Sequence, residues 1–341
     1  MRSTRSPLAG LTLAAVLLAV LAFAVPATAS AARILYSSGH DLDPARLAAV
    51  TSSTFAPPGE VGFDGCSDAA WGAALAQTDF DVLMIGEDAP GCFETDLSAT
   101  TLTAISDYVK GGKPVIITGA HEDEAPFINA VFGFNTANVS HSSDEAITGT
   151  LQPGAAGTPF AGGPPSLTDL SATDLLSGTP GTTLYSGPDG TWAFMVPYGA
   201  GVVTYLAWDF CCGSDGEPGE TYRNDWYRVL DRATKVSSSF TIDGISRNKK
   251  KGTAVVTAGV DFAGDLIASG KGVKSSAAGA VTSKSVGAGQ AQLVIKAKGK
   301  KRRKLNEKGK VKLTLAVSYT PNGGSVHTQS LKVKLKKKIK K

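Results

Sequence analysis

The chain has 341 residues, which at roughly 150 residues per domain suggests two domains, and 42% apolar with 19% charged residues excludes wholesale disorder. Its net charge of +4 hides a division: residues 1–235 carry 10 Lys+Arg against 26 Asp+Glu, net −16, and residues 236–341 carry 24 against 4, net +20. Such an asymmetry points to two modules with different surfaces.

The first thirty-one residues have the form of a secretory signal peptide. Arg2 and Arg5 make a basic start, Leu8 to Val25 an apolar stretch, and Pro26 with Ala27-Thr28-Ala29-Ser30-Ala31 a small-residue end, so cleavage after Ala31 is expected. The competing reading is an uncleaved anchor, since eighteen apolar residues marginally span a bilayer. No later segment is long and apolar enough, so no transmembrane segment is expected after signal removal, and the protein is expected to be secreted or cell-surface-associated.

From Arg33 to about Lys235 short apolar runs alternate with helical patterns, the sequence form of a mostly parallel sheet covered by helices. Ile34-Leu35-Tyr36 predicts a first strand, Asp43-Pro44 a helix start, and Trp71 to Ala76 another helix. The continuous apolar run within Asp81 to Gly86 suits a strand buried on both faces. Asp96 or Ser98 caps a helix with Leu102, Ile105 and Val109 on one face, Gly111-Gly112 ends it, and Pro114 to Thr118 is the next buried strand. Residues 151–181, rich in Gly, Pro, Thr and Ser, read as a long irregular insertion. Strands at Thr183 to Tyr185, Trp192 to Val196 and Val202 to Trp208 follow, then a helix from Asp225 to Ala233 and a boundary near Val236.

Cys66, Cys92, Cys211 and Cys212 are an even set, which in an oxidising compartment means two disulfides. Adjacent Cα atoms lie about 3.8 Å apart, short of the usual disulfide span, so Cys211 and Cys212 are each expected to pair with one of Cys66 and Cys92. With no Cys-x-x-Cys pair, a metal site or thiol nucleophile is the weaker reading.

Beyond Ser237 the pattern turns to period two, clearest in Lys310 to Val317 and Leu331 to Lys336, with one face apolar and the other lined by Lys. Further runs at Phe240 to Ile242, Thr253 to Val256, Asp265 to Ala268 and Leu293 to Ile295 bring the total to about seven strands, which suggests an all-β sandwich of immunoglobulin-like kind. Lys298 to Lys304 read as a basic loop.

The pieces Asp81 to Gly86, Tyr108 to Gly112, Lys113 to Gly119 and Tyr198 to Asp209 resemble the class I glutamine amidotransferase-like superfamily, especially its trehalose-utilisation-protein-like relatives, over most of residues 33–235. The resemblance implies a flavodoxin-like α/β core. Active members carry a Cys on the turn after the Lys-Pro-Val strand and a His and Glu after the last strand, so that thiolate, base and orienter meet. Here that turn reads Thr118-Gly119-Ala120-His121 and the last strand ends Ala207-Trp208-Asp209, so the thiolate chemistry is not carried over. No Gly-x-Ser-x-Gly elbow, Walker loop or dinucleotide fingerprint replaces it, and no cofactor is implied. The second module, through Lys249 to Ala254, Gly270 to Val273 and Tyr319 to Gly324, resembles the Lys-rich immunoglobulin-like modules of bacterial secreted proteins.

Ligands of open parallel sheets sit beyond the carboxyl ends of the strands. Ser37, Ser38, His40, Asp41, Glu87, Asp88, His121, Glu122, Asp123 and Asp209 follow those ends, and such carboxylates and hydroxyls suit a saccharide or a divalent cation such as Ca²⁺, with Trp208 as a stacking platform. The competing reading is that these are loop and helix-cap residues, Glu122 to Glu124 favouring a helix N-terminus. A zinc-protease motif fails, because Ala125 stands where the second His belongs, and His141 with Asp144 is a solvated pair. Lys298 to Lys304 and Lys332 to Lys341 suit an anionic wall polymer, an acidic polysaccharide or lipid headgroups. Aromatics for stacking on nucleic acid are scarce in the second module, only Phe240, Phe262 and Tyr319. Outward Lys also keeps sheet edges from pairing, and the acidic module leaning on the basic one would consume part of both fields.

The expected function is therefore an exported, non-enzymatic binding or cell-surface-associated protein with modules at 32–235 and 236–341. The alternative is a carbohydrate-active hydrolase using carboxylates such as Glu87, Asp88, Glu122 or Asp209 as acid and base.

Overall fold

The apolar runs of the first half form a single sheet. In a computed structural model that describes residues 32–37, 48–51, 54–55, 65–86, 97–119, 124–139, 147–169, 173–208, 210, 220–274 and 282–339, β1 (Arg33–Tyr36), β2 (Thr54–Phe55), β3 (Val82–Ile85) and β4 (Pro114–Thr118) are parallel neighbours. Between them run α1 (Asp68–Ala76) and α2 (Ala99–Lys110). The expected signal segment lies outside the described residues, as does most of the helix expected from Asp43 and Pro44. Among the described residues no helix is long and apolar enough to cross a membrane.

Each element answers to its residues. All four side chains of β3 are buried, which is why its sequence is apolar without alternation. The Ser98 hydroxyl accepts from the Thr101 amide at 3.3 Å and so caps α2, whose Ile105 and Val109 face the core. Gly111 closes that helix. After α3 (Glu124–Phe132) come β5 (Ala137–Val139) and β6 (Ile147–Leu151).

The expected irregular insertion at 151–181 is corrected at this point. It contains β7 (Ser166–Asp169) and β8 (Leu175–Ser177), and β9 (Thr182–Ser186) begins just beyond it. β7 and β8 are only four and three residues long, too short for their residues to show a period, and they form because β6 and β10 (Thr191–Tyr198) offer them edges. A tight turn at Gly199-Ala200 joins β10 to β11 (Gly201–Leu206). Gly199 is at φ +59°, and a Cβ on it would lie 2.6 Å from the Cα of Lys110.

β11 returns parallel to β4, so the path through the sheet is β2-β1-β3-β4-β11-β10-β9-β6-β7. The first five strands have the 2-1-3-4-5 order of a flavodoxin-like sheet, and the strands beyond β11 extend it in antiparallel fashion. α4 (Glu220–Ala233) brings Trp226 into the core, stacked 6.1 Å from Trp192 and 5.9 Å from Trp208.

The second half makes two antiparallel sheets. β12 (Phe240–Asn248), β13 (Thr253–Val260) and β16 (Gly289–Ile295) form one in the order β12-β13-β16. β14 (Gly264–Ser269), β15 (Thr282–Val286), β17 (Lys310–Pro321) and β18 (His327–Lys336) form the other in the order β15-β14-β17-β18. Their inner residues, among them Val256, Leu293, Leu313, Leu315 and Leu335, share one core. The expected basic loop is corrected to a helix, α5 (Gly299–Lys308), held by the buried Leu305 and closed by Gly309 at φ +65°. Lys and Arg are good helix formers, and one buried leucine supplies the anchor.

Ala31–Lys341 form one compact unit, and backbone contacts join its two cores. The Ser325 amide donates to the Gly199 carbonyl at 2.7 Å, the Ser238 hydroxyl donates to the Ala200 carbonyl, and Phe262 is buried with the first core. The ion pairs between described residues, such as Arg228–Asp225 and Lys235–Asp231, all lie before Val236, so none of them crosses this seam.

Candidate functional site

The parallel order brings the carboxyl ends of β1, β3, β4 and β11 to one edge of the sheet, where the strand order reverses between β1 and β3. At that reversal the Ser37 side chain is wholly buried. Its hydroxyl accepts from the Gly86 amide at 3.0 Å and donates to the Gly86 carbonyl at 3.2 Å, stitching the two strand ends together. Next along the edge, the Gly119 amide donates to the Leu206 carbonyl at 3.0 Å.

Gly119 stands where the amidotransferase resemblance puts a nucleophile, and its surroundings are full. A Cβ there would lie 2.4 Å from the Tyr205 hydroxyl and 2.8 Å from the Ala207 carbonyl oxygen. Real Cβ atoms do not approach that closely, so the site accepts glycine and no side chain. The Tyr205 hydroxyl is itself fixed, donating to the Asp174 carbonyl at 2.6 Å. Asp174 is drawn there by the chain: its amide donates to the Ala207 carbonyl at 2.9 Å, and Thr173 bridges Trp208. Burial first, then the carboxylates of Glu124 and Asp174, hold the Tyr205 hydroxyl well above the ordinary phenol range, so it stays a proton donor. Glu124, wholly buried in the first turn of α3, completes the group.

Glu124, Asp174 and Tyr205 were not among the expected site residues. Glu124 was hidden in an acidic run, Asp174 in the Gly- and Thr-rich stretch, and Tyr205 in an apolar strand. A tyrosine in a fully buried strand needs a partner for its hydroxyl, and that was the one available signal. The expected set of Ser38, His40, Asp41, Glu87, Asp88, His121, Glu122 and Asp209 lies outside the described residues, as do Asp123, His141 and Asp144. Cys66 is disulfide-bonded, and Cys92, Cys211 and Cys212 lie outside the described residues. No group of His, Cys, Asp and Glu among the described residues has the arrangement of a metal site. Trp208 is not a stacking platform: it is 4% exposed and packed on Phe210 at 4.7 Å and on Trp226.

The basic half presents its charge differently. The register of β17 with β18 sets Lys310 opposite Lys336 and Lys312 opposite Lys334, with Lys332 opposite Thr314, all on the solvent face. α5 lies beside β17, and the Lys301 ammonium donates to the Lys312 carbonyl at 3.2 Å. Between them is a cleft of about 360 Å³ lined by Lys301, Lys304, Lys310, Val311, Lys312 and Lys334. Phe240, Phe262 and Tyr319 are all buried.

No family model matches the chain, and no curated relative does. Among solved structures it is similar to a cytoplasmic protein of Salmonella typhimurium LT2, at 13% identity and TM-score 0.42, over 58% of this chain and 98% of that one. A putative ThuA-like protein of Bacteroides uniformis is similar at 9% identity and TM-score 0.36, over 59% of this chain and 88% of that one. A second cytoplasmic protein of Salmonella typhimurium stands at 11% identity and TM-score 0.37, over 58% and 97%.

Proposed function

We propose that this protein is an exported, non-enzymatic binding or cell-surface-associated protein. In this reading its first half is an amidotransferase-like domain without thiolate chemistry, and its second is an immunoglobulin-like basic sandwich that holds anionic envelope polymer. The observation that carries it is the filled space at Gly119. The fold logic that would expose a nucleophile is kept, and the place for that nucleophile is occupied by Tyr205 and Ala207. The sandwich assignment is supported by seven strands split as β12-β13-β16 and β15-β14-β17-β18, an immunoglobulin-like arrangement with the fourth strand paired to the third.

The attachment half is supported by the net +20 of residues 236–341 and by the ion pairs between described residues, which all lie on the first side of the seam. A saccharide or divalent cation remains the proposed ligand of the first half, held by the polar residues after the strand ends. The test is retention of the full chain on purified anionic wall polymer, bound at low salt and released as salt rises, together with no hydrolysis of glutamine. Retention indifferent to salt would overturn the attachment half, and turnover of glutamine the non-enzymatic half. For the first half, a raised unfolding midpoint with Ca²⁺ or a sugar is expected, because a ligand of the folded state alone must raise it.

A further inference from the structure

We propose that the cleft between α5 and the outer face of β17 and β18 binds a linear phosphodiester polymer with small polyol or sugar spacers, one phosphate seated in the cleft and its neighbours on the lysine rows. This rests on the reading that the basic half engages anionic polymer, and it names the place and the chemistry.

Like charges directly opposite each other on a sheet face destabilise the pairing. Here two such pairs stand side by side, Lys310 with Lys336 and Lys312 with Lys334, and neither has an acidic partner among the described residues. A row of lysines that merely discouraged edge pairing belongs on the edge strand. At Lys310 and Lys312 β17 is not an open edge: its pairing with β14 covers only Ala316 to Pro321, but α5 lies along this stretch, its Lys301 donating to the Lys312 carbonyl, and both lysines still face outward. The concentration of positive charge is therefore explained by a ligand that neutralises it.

The geometry selects the ligand. Outward side chains recur every second residue, about 7 Å along a strand, and the two rows stand about 5 Å apart. That spacing matches a chain with one negative charge per several bonds. It is far sparser than duplex DNA, with a charge per about 1.7 Å of axis. The cations lining the cleft are all lysines, point charges that can meet a phosphodiester oxygen from many directions without the fixed bidentate geometry of arginine. A single-stranded nucleic acid also carries phosphodiesters, but its binders stack bases on exposed rings, and the three aromatic side chains Phe240, Phe262 and Tyr319 are buried. The volume of about 360 Å³ leaves room for a phosphate and an adjoining polyol unit.

The experiment measures binding of the full chain to poly(glycerol phosphate), to polygalacturonate and to single-stranded oligothymidylate across a range of salt. The expected result is tightest binding to poly(glycerol phosphate). It should weaken about tenfold in Lys312→Gln/Lys334→Gln with a shallower salt slope, recover in Lys312→Arg/Lys334→Arg, and stay unchanged in Lys249→Gln/Lys250→Gln. Thermal unfolding of each variant confirms that it folds. If the full chain binds the polymer and the cleft pair is as tight as wild type, this inference falls alone. Equal or tighter binding of polygalacturonate or oligothymidylate overturns the phosphodiester assignment. If none of the three polymers binds, the attachment reading falls with it.

Discussion

Among the described residues at the carboxyl edge of the first sheet, polar groups are spent on one another: Ser37 on Gly86, Tyr205 on Asp174, Gly119 on Leu206. On the outer face of β17 and β18 the charges instead face solvent beside others of their own sign. The first region resembles a reaction centre in its topology and, at Gly119, is filled by packing. The second has an ordinary antiparallel topology and is left open. The difference teaches that fold position alone does not locate function; what matters is whether the groups there still have unspent interactions.

Four variants break or sharpen this contrast. The largest effect is expected from Trp208→Ala, which removes a ring packed on Phe210, Trp226 and Tyr227 and should cost about 3–5 kcal/mol in denaturant unfolding. An exposed platform would lose only a few tenths, and that result would return Trp208 to the ligand-facing residues. Gly119→Cys should restore no amidotransferase chemistry and cost about 1–3 kcal/mol, because its Cβ meets the Tyr205 hydroxyl and the Ala207 carbonyl. Combining it with Tyr205→Phe should recover part of that loss, and a fully stable, active Gly119→Cys would refute the closed site.

The seam between the two regions supplies a pH test. Burial pushes the Asp261 carboxyl up to about 6, although the Ser237 amide donating to it at 2.8 Å pulls the other way. A carboxyl whose folded pKa exceeds its unfolded value near 3.9 binds its proton more tightly when folded. Its contribution is therefore greatest below about pH 4, falls as pH rises towards 6 and is lost above that. Relative to Asp261→Asn, the wild type should lose about 1–3 kcal/mol between pH 4 and 7 in denaturant midpoints. Parallel pH curves for the two proteins would show that the seam is solvated. The smallest effect is expected at the open face: Lys334→Thr should stabilise the fold by about 0.2–1 kcal/mol at low salt by removing one like-charged pair, and the gain should vanish as salt rises. Destabilisation there would mean that the lysines are structural.

Much of this was legible from residues alone. β3 and β4 could be read because strands buried on both faces admit few polar residues, and β17 and β18 because the near-strict alternation of Lys310 to Val317 and Leu331 to Lys336 fits a period of two. β7 and β8 could not be read, since three or four residues carry no period and pairing partners decide their state. α5 was read as a loop because its charge run has a single apolar contact, Leu305, and only packing reveals that one is enough. In the candidate site, the strand ends were predictable in kind, but the arrival of Asp174 beside Tyr205 was not, because it depends on a bridge between Thr173 and Trp208.

The amino-acid order by itself determined the division of charge, the buried strands, the lysines of alternate residues and the absence of a side chain at position 119. These are local properties, set by composition and by the two-residue period of a strand. Only the tertiary structure decided that the missing side chain's place is filled by Tyr205 and Ala207, and that Lys312 faces Lys334 with α5 alongside. Register and packing join residues far apart in the chain, and the free energy that selects them belongs to the contacts they make together.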